Sequence, residues 1–135
     1  MFYDFAILIP AGTTEAAPKE ETLKLTYGII HRVEVEFTPG CHRYAFVRIY
    51  KDEHQLLPTN PDQAFASDGH TIVIDEHEEL FYPPYTLVVR GYSPEADYDH
   101  TIIVRVGILP PQIIAPMAGF GGMFTKLFKI LGIGK

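Results

Sequence analysis

The chain has 135 residues, a formal net charge of −6, a single cysteine and no tryptophan. This length suits one domain with a hydrophobic core of its own, and the single cysteine excludes an internal disulfide. The excess of acidic residues argues against a nucleic-acid-binding face, because phosphate contacts require clustered Lys and Arg.

The pattern of residues 1–21 predicts an N-terminal arm, a short strand and a linker that stand apart from the rest of the chain. Residues 3–9 form an apolar run that ends at Pro10-Ala11-Gly12, and residues 13–21 are polar. The run lacks the length and the basic residues of a signal peptide, and no segment approaches the ~20 apolar residues of a membrane span. We therefore expect synthesis in the cytoplasm without a signal peptide or a transmembrane segment.

Residues 22–109 are predicted to form a β-sandwich body. Some segments alternate strictly between apolar and polar residues, and others are short runs rich in Val, Ile and Tyr. These segments are residues 23–27, 33–37, 44–50, 71–75, 79–82, 85–92 and 100–109. No helical pattern interrupts them, and the polar residues 51–69 are predicted to be a crossing loop. The expected fold class is all-β, an antiparallel sandwich or barrel of the Greek-key or jelly-roll type with seven or eight strands.

Residues 110–135 are predicted to be a Pro/Gly-rich spacer followed by an amphipathic cationic tail. Residues 119–135 carry three lysines and no acid, whereas residues 1–118 carry eight Lys/Arg against seventeen Asp/Glu. On a helix the apolar side chains of the tail share one side and the lysines take the other. The predicted interface consists of Phe120, Met123, Phe124, Leu127, Phe128, Ile130 and Leu131 with Lys126 and Lys129.

Three surfaces compete for this tail: a neighbouring chain, the chain's own sandwich, and a membrane. Docking on a neighbouring chain is preferred, because about six buried apolar side chains at ~1.5–3 kcal/mol each are a large gross gain for an attachment. Membrane contact is the least favoured, since two or three cations bind an anionic surface weakly.

An acidic cluster in the second half of the chain is the best local candidate for a metal site. On a strand, Asp75, His77 and Glu79 share one face, and His70 precedes them closely. No repeated His spacing or second ligand pair accompanies them, and charged residues on a strand edge also discourage aggregation. We therefore predict no metal and no cofactor.

Two short motifs resemble catalytic pairs without completing one. In Tyr98-Asp99-His100 a carboxylate adjoins an imidazole, but no serine or cysteine nucleophile accompanies it. Cys41 and His42 are neighbours, so on a strand their side chains point to opposite faces, and a buried or half-buried Cys41 is expected. The prediction is therefore a protein that is not an enzyme and has no catalytic residues.

The tyrosines support an alternative function. Tyr82, Tyr85 and Tyr92, with the loop at residues 51–69, could line a carbohydrate or peptide groove of an adhesion module. Tyrosine is equally common in half-buried antiparallel sheets, so a small-molecule ligand is not favoured.

Short segments spread over residues 7–109 match the sequence pattern of one group of proteins. They are Ile9-Pro10-Ala11-Gly12-Thr13, residues 23–30 with Gly28, Phe37-Thr38-Pro39-Gly40, residues 54–60, residues 83–87 and Tyr98-Asp99-His100. The pattern resembles small all-β proteins that decorate or stabilise the capsids of tailed bacteriophages. That resemblance implies a virion protein that binds the outside of a shell, as a homo-oligomer or on the major capsid protein, with no catalytic residues to carry over.

Overall fold

Eight strands and no helix make up the part of the chain that the structure, a computed structural model, describes, residues 1–110. The strands are Phe2–Ile9 (β1), Lys19–Lys24 (β2), Gly28–Phe37 (β3), Phe46–Lys51 (β4), His54–Leu57 (β5), His70–Leu80 (β6), Thr86–Tyr92 (β7) and His100–Leu109 (β8). The predicted all-β fold is confirmed. The predicted helical tail lies outside the described residues. Residues 1–110 contain no helix long and apolar enough to cross a membrane.

The strands form two antiparallel four-stranded sheets. Sheet A has the order β1-β8-β3-β6, and sheet B has the order β2-β7-β4-β5. The pairing is nested, because β1 pairs with β8, β2 with β7, β3 with β6 and β4 with β5. The chain is therefore one long folded hairpin that divides its successive pairs between the two sheets.

The core lies between the two sheets and follows the period of two. In β3 the side chains of Val33, Val35 and Phe37 are fully buried, while the residues between them face outward. In β8 the side chains of Ile102, Val104 and Val106 are fully buried in the same alternating way. Both strands are internal in sheet A, and each fully buried side chain of this kind contributes ~1.5–3 kcal/mol of gross hydrophobic stabilisation.

The structure corrects the prediction of a separate N-terminal strand. β1 pairs with β8 along its whole length, from Phe2 opposite Gly107 to Ile9 opposite His100. Ile7 and Ile9 are buried in the core. The polar residues after β1 connect the two sheets rather than an arm to a body, and the alternation alone does not distinguish these connections.

The predicted loop at residues 51–69 also differs from the structure, because it contains β5. β4 and β5 form a hairpin whose two turn residues, Asp52 and Glu53, have φ of 50° and 65°. Positive φ at both central residues is typical of a type I′ turn, which usually has Asn, Asp or Gly followed by Gly at these positions. The Asp-Glu pair gives no such signal, so the hairpin is not visible in the sequence.

Gly28 is required where β3 meets the end of β8. Its φ is +154°, and a Cβ at this position would lie 2.6 Å from both the carbonyl oxygen of Leu109 and a methyl group of Ile108. The backbone oxygen cannot move aside without breaking the pairing of β3 and β8.

We expect Gly28→Ala to lower the free energy of unfolding by about 2–3 kcal/mol, because it adds overpacking to backbone strain. Gly12→Ala is the matched control: Gly12 has φ +75° and open space around its Cα, so this variant carries the conformational cost alone. Urea denaturation of both variants gives the comparison. Equal losses in the two variants would contradict the packing argument.

Candidate assembly and binding surfaces

β1 is an edge strand with one free side. Within residues 1–110 it pairs with β8 alone. Met1 and Ile108 exchange two backbone hydrogen bonds, of 2.7 and 2.9 Å. Antiparallel ladders alternate between hydrogen-bonded and non-hydrogen-bonded pairs, so the next residue, Phe2, directs its N–H and C=O away from β8. Every second residue after it does the same. The backbone groups that face the free side of β1 therefore belong to Phe2, Asp4, Ala6 and Leu8.

The side chains of β1 are apolar on both faces of the sheet. On the outer face, Phe2 is 58% exposed and Leu8 is 51% exposed. On the inner face, Tyr3 and Phe5 are half-buried at the rim of the core, and their rings stack with centroids 6.1 Å apart. Edge strands of natural proteins are normally protected by charges, prolines or bulges, and β1 has only Asp4.

The opposite edge of sheet A is protected in the usual way. β6 carries the acidic cluster, and Asp75, His77 and Glu79 are all exposed along it. His77 Nε2 lies 3.9 Å from Glu79 Oε1. Among residues 1–110, no three or more His, Cys, Asp or Glu side chains gather in a way that could hold a metal ion. The two edges of the sheet therefore differ sharply in charge.

Ion pairs connect the outward side chains of β3 and β8, the two internal strands of sheet A. Arg105 reaches Glu36 at 2.8 Å, Glu34 at 3.6 Å and Asp4 at 3.8 Å. Arg32 donates to Glu34 at 2.8 Å. The hydrogen bond to Glu36 raises the pKa of Arg105 above its ordinary value. These contacts tie the outer faces of β1, β8 and β3 together.

The outer face of sheet B holds two arginines directly opposite each other. Arg48 on β4 and Arg90 on β7 are register partners, and like charges in that position repel. Glu15 accepts a hydrogen bond from Arg48 at 2.9 Å, and Glu20 accepts one from Arg90 at 2.7 Å. Glu15 lies between β1 and β2, and Glu20 lies on β2. These two carboxylates thus neutralise the two arginines on β4 and β7.

Burial acts to lower the pKa of both guanidinium groups, but the hydrogen bonds to the glutamates and the nearby charges outweigh it. The pKa values of Arg48 and Arg90 are therefore raised above their ordinary value. Arg48 also donates to the carbonyl oxygens of Gln63 at 3.0 Å and Asp62 at 2.8 Å. It anchors the loop that follows β5 to the sheet.

Two depressions meet at Tyr50 on this face, with volumes of about 270 and 470 Å³. The aromatic rings there are already covered. Arg90 lies 4.2 Å from the centroid of the Tyr50 ring, and Tyr92 stacks on Phe46 with centroids 5.0 Å apart. Burial raises the pKa of Tyr92. Residues of the segment 51–69 line the larger depression together with Tyr50 and Glu76. Both faces of the Tyr92 ring are covered, one by Phe46 and the other by Arg48 at 5.3 Å, so this ring offers no free face for a sugar.

The other two tyrosines of that alternative lie at one end of the sandwich. Tyr85 packs edge-on against Tyr27 with centroids 6.0 Å apart, and Tyr27 stacks on Phe81 at 5.2 Å. Tyr82 is 84% exposed beside them. The structure therefore separates Tyr82 and Tyr85 from Tyr92, and Tyr27, which the sequence did not single out, completes an aromatic end cluster with Phe81, Tyr82 and Tyr85.

The structure also shows where the residues of the two catalytic-like motifs lie. Asp99 accepts a hydrogen bond from the backbone N–H of Ala11 at 2.8 Å and so stabilises the turn after β1. His100 is buried at the start of β8. Cys41 is fully buried, as expected, and its sulfur lies 3.7 Å from the Thr38 hydroxyl.

His42, next to Cys41, is exposed and faces Asp68 at 3.6 Å. The predicted interface residues of the tail, from Phe120 to Leu131, lie outside the described residues.

No protein-family model matches this chain, and no curated protein does. Among solved structures, the chain is similar to a de novo designed double-stranded β-helix whose structure was determined in solution by NMR. The identity is 12%, over 78% of this chain and 99% of the designed one, with a TM-score of 0.40. A likeness at this level assigns neither a fold type nor a function.

We expect Arg48→Lys to lower the free energy of unfolding by about 1–2 kcal/mol, because lysine cannot reproduce the fork that bonds two carbonyls and Glu15 at once. Only 13% of the Arg48 side chain is exposed. Arg32→Lys is the control: the Arg32 side chain is 40% exposed and has one ion-pair partner, so about 0.5 kcal/mol or less is expected. Chemical denaturation measures both, and a similar small loss in both variants would contradict the anchoring role.

Asp68 should titrate below its ordinary range. Hydrogen bonds from the backbone N–H groups of His42 and Gly40 hold the pKa of this carboxyl below its usual value. A lowered pKa in the folded state means that Asp68 adds stability above its unfolded pKa, and this stability is lost as the pH falls through the folded pKa. Asp68→Asn should therefore be destabilised at about pH 7 and match the parent chain below about pH 3. Denaturation at both pH values tests this; an equal deficit at both would contradict it.

Proposed function

We propose that this sandwich is a jelly roll and that the protein is a non-enzymatic structural component of a viral particle, which decorates or cements the shell through contacts between subunits. The observation that carries the proposal is the nested pairing of β1 to β8 around a core filled with apolar side chains. Eight strands paired in this way are the jelly-roll arrangement found in viral capsid and lectin domains. A filled interior leaves surfaces as the functional part of the molecule.

The end of β8 lies beside the start of β1. Ile108 at this end is hydrogen-bonded to Met1, the residue before β1, and the last described residue, Pro110, follows two residues later. The amphipathic tail sequence follows from there. Two weak attachments on one subunit multiply in effect when both engage the same assembly.

The charges of the chain support the same role. Residues 1–118 are strongly acidic and the tail sequence is cationic, so the tail of one copy is attracted to the body of another or to an acidic shell. Attraction between exposed charges is screened within about 10 Å at 0.1 M salt. The attachment should therefore weaken with salt.

A peptide- or carbohydrate-binding role is the second candidate, and the aromatic end cluster favours it. Tyr82 and Tyr27 are both exposed there, and Pro83 and Pro84 continue the surface. Extended, proline-rich peptides dock on surfaces lined by aromatic side chains. This candidate predicts that a peptide or glycan raises the melting temperature of the isolated protein.

We expect the full chain to band with intact viral particles in a density gradient and to label their outer surface in immuno-electron microscopy. A version that ends at Ala118 should bind particles lacking the protein more weakly than the full chain does, and high salt should release the full chain. Purified particles, the two proteins and a salt series make the measurement.

The contrary result is a protein that stays free in the lysate while the particles contain none of it. Flotation of the full chain with anionic lipid vesicles, lost in the version that ends at Ala118, would instead assign the tail to a membrane surface.

A further inference from the structure

We propose that two copies of this protein join edge to edge through β1, antiparallel and about a two-fold axis at Phe5. The four-stranded sheet A of each copy would then continue into that of its partner. This inference rests on the proposed assembly function and names its partner, a second copy of the chain.

The backbone of β1 is ready for such a partner. Phe2, Asp4, Ala6 and Leu8 direct their N–H and C=O groups to the free side, as the hydrogen-bonded pair of Met1 and Ile108 requires. An antiparallel partner pairs them when Phe2 lies opposite Leu8 and Asp4 lies opposite Ala6. Both residues of each pair are among the four residues whose backbone groups face the free side. In this one register, the N–H and C=O groups of all four residues are therefore hydrogen-bonded in both copies.

The side chains select the same register. Phe2 and Leu8, the most exposed apolar residues within β1, then meet across the interface on the outer face, and Asp4 meets an alanine. A shift that places Phe2 opposite Ala6 would put Asp4 opposite Asp4, and like charges in direct opposition destabilise a sheet. A shift the other way would place Phe2 opposite Pro10, which has no N–H to donate to the partner strand.

The inner face supplies the apolar contact. In this register Phe5 lies opposite Phe5 of the partner copy, and Tyr3 lies opposite Ile7. Tyr3 and Phe5 are half-buried at the rim of the core, so a second copy would cover the part of both rings that now faces solvent. Aromatic and aliphatic cross-strand pairs each add roughly 0.2–1 kcal/mol to a sheet.

The other edges of the sandwich are unsuited to this pairing. β6 carries the exposed Asp75, His77 and Glu79, and β2 carries two lysines and two glutamates among its six residues. β5 is four residues long. Short strands and charged residues are the devices that prevent edge-to-edge association, whereas β1 is eight residues long and has Asp4 as its one charged side chain.

The test begins with the mass of the full chain in solution, measured by light scattering from dilute to concentrated protein. A dimer is expected at high concentration. Leu8→Lys places a charge on the free edge and should raise the dimer dissociation constant about tenfold or more. Val73→Lys is the matched control, because Val73 is a 49% exposed apolar residue on the opposite edge of the same sheet, and this variant should dimerise as the parent chain does.

A cysteine cross-link tests the register. In Phe5→Cys the new cysteines lie opposite each other in a non-hydrogen-bonded pair, with Cα atoms ~4.5 Å apart, within disulfide range. In Tyr3→Cys, also at the rim, the cysteines are offset by four residues, ~13 Å along the strand. Mild oxidation should cross-link the first variant and not the second, and the buried Cys41 contributes little background. Circular dichroism confirms that each variant is folded.

The outcomes separate this inference from the proposed function. A parent chain that is monomeric at every concentration, a dimer that survives Leu8→Lys, or cross-linking of Tyr3→Cys in place of Phe5→Cys overturns the β1 pairing. Survival of the dimer in Leu8→Lys with its loss on truncation at Ala118 assigns the contact to the tail. If the protein is a monomer that still binds particles, the β1 pairing is wrong and the proposed function stands. If it is a β1 dimer that is absent from particles, the β1 pairing stands and the proposed function is wrong.

Discussion

The antiparallel pairing of β8 with both β1 and β3 is the constraint on which the remaining structure depends, because it joins the first strand of the chain to the last and closes the nested hairpin. β8 buries alternate side chains against the core while its outward residue Arg105 ties β1 to β3 through Asp4 and Glu34. Gly28 lets the backbones of β3 and β8 approach where the pairing ends. The hydrophobic core and the free edge of β1 both follow from this arrangement.

On both outer faces of the sandwich, charged side chains pair with one another and stabilise the fold. On sheet A, Arg105 is shared among three carboxylates, and on sheet B the opposed Arg48 and Arg90 are neutralised by Glu15 and Glu20. These arginines hold loops and strands in place, and their stacking covers the tyrosine rings beneath them. Within residues 1–110, the edge of β1, apart from Asp4, and the aromatic end cluster are apolar surfaces, and we propose these two as the surfaces for partners.

Within residues 1–110 the space between the two sheets is filled by Ile, Val, Leu and Phe side chains, and the contacts that we propose with partners lie on the surface. An unprotected edge strand is a hazard for a protein that works alone, because it invites aggregation. The same edge is useful in a protein that works as part of an assembly, and this contrast links the strand order to the proposed structural role.

The sequence by itself determined the fold class and the location of most strands, because alternation of apolar and polar residues depends on local geometry alone. It also predicted a buried or half-buried Cys41 and an acidic strand in the second half of the chain, although Cys41 and His42 lie in a turn and not on the strand that the sequence suggested. What only the tertiary structure decided are the relations between distant segments.

The pattern of residues 3–9 does not reveal that β8 is its partner, and the Asp52-Glu53 turn carries no hairpin signal. Arg48 and Arg90 meet because β4 and β7 are neighbours in sheet B, and Tyr27 joins Tyr85 because two connections meet at one end of the sandwich. Pairing between strands is a property of the whole chain, since each strand chooses its partner by the core that all of them bury together.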